Sequence, residues 1–204
     1  MKVYRHEVGN MQNFTYVLED EETKEAVVID PSWDLDLIME VIQKNNLKIK
    51  YVINTHHHFD HTIGNDALKK ITNSKILQHK SSTLPNDMTL NDSDEVKFGR
   101  STLKVMHTPG HSKDSICLVG DGKIFSGDTL FVGNCGRVDL PGGSAKELYH
   151  SLFDILCKLD DSLIIYPGHN YGSSTSSTIG VEKKTNFVLQ PRSEADFLEF
   201  MNSD

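Results

Sequence analysis

A chain of 204 residues fits one domain of ordinary size, and a formal charge of −8 with no dense Lys/Arg run argues against a nucleic-acid partner. No stretch approaches the roughly 18 apolar residues of a membrane span. The N-terminal run Met1–Val8 alternates like a strand and has no apolar leader core, so the expectation is a cytoplasmic protein with no membrane partner. Cys117, Cys135 and Cys157 are scattered and lack C-x-x-C spacing, which reads as free thiols in a reducing compartment.

In chain order, period-two or short apolar runs predict strands at Lys2–Val8, Phe14–Leu18, Ala26–Ile29 and Ile49–Ile53, then Lys75–Leu77, Leu103–Met106, Ile116–Val119, Lys123–Phe125 and Leu163–Tyr166. Helical spacing appears over Asp34–Lys44, at Leu35, Leu37, Ile38, Val41 and Ile42, and over Ser144–Leu159, at Leu148, Leu152, Ile155 and Leu156. Ser144 with Glu147 forms a capping-box pattern. Gly64–Ile71 and Glu194–Met201 are weaker helix signals, and Gly172–Ser177 reads as a Ser/Thr-rich loop. Strands interspersed with helices give an α/β protein in which helices cover sheets, organised as one domain over 1–204 with a short C-terminal helical tail.

The chemistry concentrates at Asn54-Thr-His-His-His-Phe-Asp-His61, on a loop leaving the apolar strand that ends in Tyr51-Val-Ile53. Read as H-x-H-x-D-H, this loop offers His56, His58, Asp60 and His61. Imidazole and carboxylate donors without cysteine suit zinc, iron or manganese. Three later segments each set a candidate after a strand and a glycine: His111, Asp128 and His169. Together the four segments supply five histidines and two aspartates, enough for two metal ions. His57 alternates away from these ligands and reads as a structural residue behind them. Asp30, in Ile29-Asp-Pro31, is either a partner for a ligating histidine or a turn-forming Asp-Pro. His6, His79, His107 and His150 read as ordinary surface or core histidines.

This order of H-x-H-x-D-H, His, Asp and His resembles the metallo-β-lactamase superfamily from Asp30 to His169. The resemblance implies an αββα sandwich of two mixed sheets face to face with helices outside. It implies that His56, His58 and His111 hold one metal, that Asp60, His61 and His169 hold a second, and that Asp128 bridges them. The β-lactamases proper carry cysteine at the position of Asp128, so antibiotic hydrolysis is not expected. Phe131–Gly143, containing Cys135-Gly-Arg-Val-Asp139, looks like the glyoxalase II and persulfide dioxygenase branch, as do His169-Asn-Tyr171 and the stretch from Ser177 through Glu182 to Asn186. By that likeness Tyr171 and Arg137 contact the substrate. A structural ion pair between Arg137 and Asp139 is the alternative. Lys183, Lys184 and Arg192 are candidate substitutes for the cationic contacts of the larger glyoxalase II tail.

The branch implies a small-molecule substrate linked to glutathione. One expectation is hydrolysis of an S-2-hydroxyacylglutathione-type thioester with two divalent ions, zinc first and iron or manganese as alternatives, Asp60 and Asp128 orienting the nucleophile. The other is a persulfide dioxygenase using one Fe(II) at His56, His111 and Asp128. A degenerate regulatory site is disfavoured because every candidate ligand is present. Cys135 reads as a small buried apolar residue before it reads as a reactive thiol.

Overall fold

In the computed structural model, which describes residues 1–202, twelve strands form two six-stranded sheets. The first runs β1 (Lys2–Val8), β2 (Asn13–Glu19), β3 (Glu25–Ile29), β4 (Lys48–Ile53), β5 (Lys75–His79) and β6 (Met88–Leu90), neighbours in that order. The second runs from β12 (Ser177–Thr178) through β11 (Ile164–Pro167), β10 (Lys123–Gly127), β9 (Ile116–Gly120) and β8 (Ser101–His107) to β7 (Glu95–Phe98). Both sheets are mixed. β3, β4, β5 and β6 pair in parallel, as do β10 and β11, and the other pairs are antiparallel.

Alternation along the strands explains why the sheets stack. Tyr16, Leu18, Val27, Ile29 and Ile53 of the first sheet meet Leu103, Val105, Leu118 and Phe125 of the second in one central core. Their alternate neighbours face outward. Val17, Ala26, Val28 and Val52 pack with Ile38, Val41 and Ile42 of α1 (Leu35–Asn45) and Leu68 of α3 (Asn65–Thr72). On the other side, Cys117, Ile124 and Ile165 pack under Leu148, Leu152, Leu156 and Phe197. Central strands buried on both faces, such as β2, follow from this layering. The architecture is the αββα sandwich that the resemblance implied.

The predicted strands all occur, β5 running on to His79. The sequence reading lacks β6, β7 and β12, the short α2 (Phe59–Thr62) and α5 (Ile179–Thr185). The single helix expected over Ser144–Leu159 is three pieces: α4 (Ala145–Tyr149), a π-helical stretch His150–Ile155 and a 3-10 turn Leu156–Lys158. Leu148, Leu152 and Leu156 recur every fourth residue, and the wider π turn keeps that row on the sheet. Ser144 supplies half of the expected capping box, its hydroxyl accepting from the Glu147 N–H. The complete box is at Ser193 and Asp196, opening α6 (Glu194–Met201).

The strand directions position the site. β4, β8, β10 and β11 all end at the same rim of the sandwich, so the segments following them converge there.

Candidate metal centre

Beyond Ile53 the chain is turned by side chains. Asn54 donates from Nδ2 to the His61 carbonyl at 3.0 Å and to Asn65 Oδ1 at 3.1 Å, closing the loop on itself. Asp30 anchors its start, accepting from the Thr55 N–H at 2.7 Å and the Thr55 hydroxyl at 2.6 Å. The same carboxylate lies 3.0 Å from His61 Nδ1, so Asp30 is the partner of that histidine and not merely a turn residue. α2 then carries Asp60 and His61 into the interior, where they are 5% and 0% exposed.

Three groups of donor atoms converge, each within 4.8 Å: His56, His58 and His111; His56, His61 and Asp128; and Asp60, His61 and His169. In the first group His58 Nδ1 lies 3.0 Å from His56 Nε2 and 2.9 Å from His111 Nε2. In the third, His61 Nε2 lies 3.1 Å from His169 Nε2 and 3.3 Å from Asp60 Oδ2, and His169 Nε2 is 3.4 Å from that oxygen. Asp128 stands between, its oxygens 3.4 Å from His61 Nε2, 3.2 Å from His169 Nε2 and 3.6 Å from His111 Nε2. Ligand atoms about 2.0–2.2 Å from a tetrahedral ion are separated by only a little over 3 Å. All seven residues singled out in the sequence therefore meet at one place, with spacings that suit metal ions.

The surroundings fix where the lone pairs point. His111 donates from Nδ1 to the Arg137 carbonyl at 2.7 Å, and His169 donates from Nδ1 to the Met11 carbonyl at 2.9 Å, which leaves each Nε2 as the inward donor atom. Asp128 Oδ1 is buried with no hydrogen-bond partner. An ionised oxygen in that state is costly unless a cation satisfies it. Burial opposes ionisation of Asp128, but the His61 and His169 imidazoles outweigh it and hold its carboxyl at about 2. Burial, then the crowding imidazoles, keep His56 well below its ordinary value and bring His58 down to about 4. Burial would lower His61 too, yet the Asp128 and Asp30 carboxylates raise it well above its ordinary value. The carboxylates of Asp60 and Asp128, set among imidazole nitrogens, make a donor set that fits a divalent transition metal.

Local backbone is built around the cluster. A Cβ at Gly168 would stand 2.2 Å from Asp128 Oδ1 and 3.1 Å from His61 Cε1, so only glycine lets β11 deliver His169. His57 points away, its Nδ1 2.6 Å from Asp114 Oδ1, and so ties the first ligand loop to the loop carrying His111.

A cleft of about 260 Å³ opens on the cluster, its lining including Met11, Phe131, Arg137 and Tyr171. A hollow of about 630 Å³ adjoins it, sharing Asn134 through Arg137 and reaching Phe187 and Phe200. Tyr171 is half exposed and stacks on His169 at 4.6 Å with an interplanar angle of 9°. Burial, then Asp128 and Asp60, push its phenol above the ordinary value, so it stays a neutral O–H donor. Arg137 makes the anticipated ion pair with Asp139, and both side chains are exposed at the cleft. Glu182 and Asn186 brace the Phe131–Asn134 turn: Glu182 accepts from the Gly133 N–H at 2.8 Å, and Asn186 Nδ2 donates to the Asn134 carbonyl at 3.2 Å. Lys183 is engaged elsewhere, with Asp161 and the Leu159 carbonyl. Arg192 lies over the Phe200 ring. Cys135 is buried, which pushes its thiol up to about 12 and makes it no nucleophile.

The metallo-beta-lactamase superfamily model matches residues 8–169. The chain belongs to that superfamily. Among relatives, a probable polyketide biosynthesis zinc-dependent hydrolase, PksB of Bacillus subtilis, is 30% identical and covers 92% of this chain and 86% of its own. The mitochondrial persulfide dioxygenase ETHE1 of Homo sapiens is 34% identical over 92% of this chain and 74% of its own. A probable hydroxyacylglutathione hydrolase of Schizosaccharomyces pombe is 33% identical over 82% and 67%. The crystal structure of ETHE1 from Myxococcus xanthus superposes with a TM-score of 0.95 at 32% identity, covering 100% of this chain and 92% of the other. Hydrolases and dioxygenases thus both stand among the relatives, within the branch anticipated from the Cys-Gly-Arg segment. No helix among the described residues is long and apolar enough to cross a membrane.

Asn13 is the functional candidate that sequence reasoning missed. It is 1% exposed and its amide reaches Asp60 and His61. The available signal was an asparagine opening a strand rich in apolar residues.

Proposed function

We propose that this protein is a two-metal hydrolase of a thioester of the S-2-hydroxyacylglutathione type. The observation that carries the reading is the completeness of the second donor set. Asp60, His61 and His169 bring their ligand atoms within 3.1–3.4 Å of one another, and Asp128, whose buried Oδ1 has no hydrogen-bond partner, lies between them and the first set. That second convergence supplies enough ligands for a second ion. His56, His58 and His111 would hold one ion, Asp60, His61 and His169 the other, and Asp128 both.

Bound divalent ions supply Lewis acidity and an activated water near neutral pH. The chain's own residues do the rest. Asp60 and Asp128, both held ionised, would orient the attacking water by accepting hydrogen bonds from its O–H groups. The Arg137 and Met11 carbonyls and Asp30 hold His111, His169 and His61 in fixed orientation, so the site needs no rearrangement during reaction. Tyr171, stacked on His169 with a neutral hydroxyl, and Arg137 at the mouth would bind the thiol-carrier half of the substrate.

A second reading, the mononuclear Fe(II) persulfide dioxygenase at His56, His111 and Asp128, is supported by the likeness to the human persulfide dioxygenase over 92% of this chain. The two readings part on substrate. Purified protein is assayed in parallel for hydrolysis of lactoylglutathione and for oxygen uptake with glutathione persulfide. Metal-dependent thioester loss without oxygen uptake supports the hydrolase. Oxygen uptake with no thioester loss overturns it.

A further inference from the structure

We propose that Asn13 is a positioning residue that secures the second donor set, and so decides whether that position retains its ion. This rests on the two-metal reading above. Asn13 opens β2 and is almost fully buried. Its Nδ2 donates to Asp60 Oδ2 at 2.9 Å and to the Asp60 carbonyl at 3.1 Å, and lies 3.5 Å from His61 Nε2. Asp60 Oδ2 is the very oxygen that faces His61 and His169. One amide therefore holds both the ligand oxygen and the backbone that carries it. That removes rotamer freedom from a carboxylate at the head of a four-residue helix.

The orientation of the amide is dictated by chemistry. Reversed, Oδ1 would oppose the Asp60 carbonyl and carboxylate, acceptor against acceptor. As placed, Oδ1 is buried without a protein partner. Buried polar atoms are seldom left so, which fits a site completed by something other than protein.

The backbone of the same segment holds the remaining ligand. The Met11 carbonyl accepts from His169 Nδ1, the Phe14 N–H donates to the Gly168 carbonyl at 2.8 Å, the Asn170 N–H donates to the Gln12 carbonyl at 2.8 Å, and Asn13 bridges to His169. The first donor set is braced by other elements, His111 by the Arg137 carbonyl and His56 by Thr55. The segment Met11–Phe14 thus buttresses one metal position and leaves the other to the loop around Arg137.

Loss of a partner behind a ligand commonly lowers metal affinity about 10–100-fold. The test is calorimetric titration of metal-free protein with Zn²⁺, comparing wild type with Asn13→Leu, near in size but lacking a donor, and Asn13→Ser, whose hydroxyl is too short to reach Asp60. Both variants are expected to bind the first equivalent as wild type does and the second about 10–100-fold more weakly, with a modest fall in the melting temperature of metal-free protein because a buried donor is lost. Two unchanged equivalents in both variants would overturn the proposal. So would joint weakening of both equivalents, since that marks a structural role. Wild type taking up a single equivalent would instead remove the two-metal reading, and this inference with it.

Discussion

The two ends of the sandwich each bury a carboxylate, and they treat it in opposite ways. At the end away from the histidines, Asp20 follows β2 and accepts four hydrogen bonds: from the Thr23 N–H at 2.9 Å, the Thr23 hydroxyl at 2.8 Å, the Arg100 N–H at 3.1 Å and the Ser101 hydroxyl at 2.8 Å. Every lone pair has work, and the group clasps the turn after the first sheet's β2 to the β7–β8 turn of the second sheet. At the histidine end, Asp128 is as deeply placed, yet one of its oxygens has no hydrogen-bond partner and both face imidazole nitrogens. A buried charge fully satisfied by protein is a structural device. One left for something outside the chain marks a functional site.

Substitution at the two ends should therefore separate activity from stability. The largest effect is expected from Asp128→Asn, which should lower turnover at least about 10²–10³-fold and reduce bound metal far more than it lowers the melting temperature of metal-free protein, in which the His61 and His169 imidazoles lose their counter-charge. Differential scanning calorimetry beside the activity assay reads both. Asp20→Ala should do the reverse. Four donors lose their acceptor, costing about 3 kcal/mol, or about 6–12 °C in Tm for a chain of this size, with turnover per folded molecule unchanged.

The Asp20 effect has a pH signature. Burial pushes its carboxyl up, but the hydrogen bonds from Thr23, Ser101 and Arg100 outweigh this and hold it below the usual carboxylate range. A depressed folded value contributes stability that is complete above the unfolded value of about 3.9 and is lost as pH falls toward the folded one. The stability gap between wild type and Asp20→Ala should be flat from about pH 5 to 8 and narrow below about pH 4. A gap that widens on acidification would contradict the assignment.

Glycines beside the two carboxylates sharpen the contrast. At Gly168 a Cβ would press on Asp128 Oδ1, so Gly168→Ala should cut turnover about 10–100-fold. Gly99 has φ +57°, and a Cβ there would come within 2.1 Å of Thr23 Oγ1 and 2.6 Å of Asp20 Cγ. Gly99→Ala should cost about 1–3 kcal/mol of stability and leave turnover intact. The smallest expected effect is that of Asp114→Asn, which frees His57 and should weaken metal binding about tenfold, read by competition with a chelating dye.

The histidine end was more legible in the sequence than the clasp. Ligand types in H-x-H-x-D-H order are few, and each later candidate sits behind a glycine after an apolar strand. The central strands were legible for the same reason, since burial on both faces makes continuous apolar runs. Asp20 gave no such sign, because its partners Arg100 and Ser101 lie on another hairpin far along the chain. Asn13 was hidden likewise, its meaning depending on Asp60 being folded against it. β7 offers only Val96 and Phe98 as inward residues, and β6 has three residues in all, too short for a period to show. α5 buries Ile179, Gly180 and Glu182, a set that no apolar pattern marks as a helix.

The most direct measurement is elemental analysis of protein purified anaerobically without added metal. The account predicts about two divalent transition-metal ions per chain, falling in Asp128→Asn and unchanged in Asp20→Ala. About one iron per chain, held equally well by the Asp60→Ala variant, would contradict it.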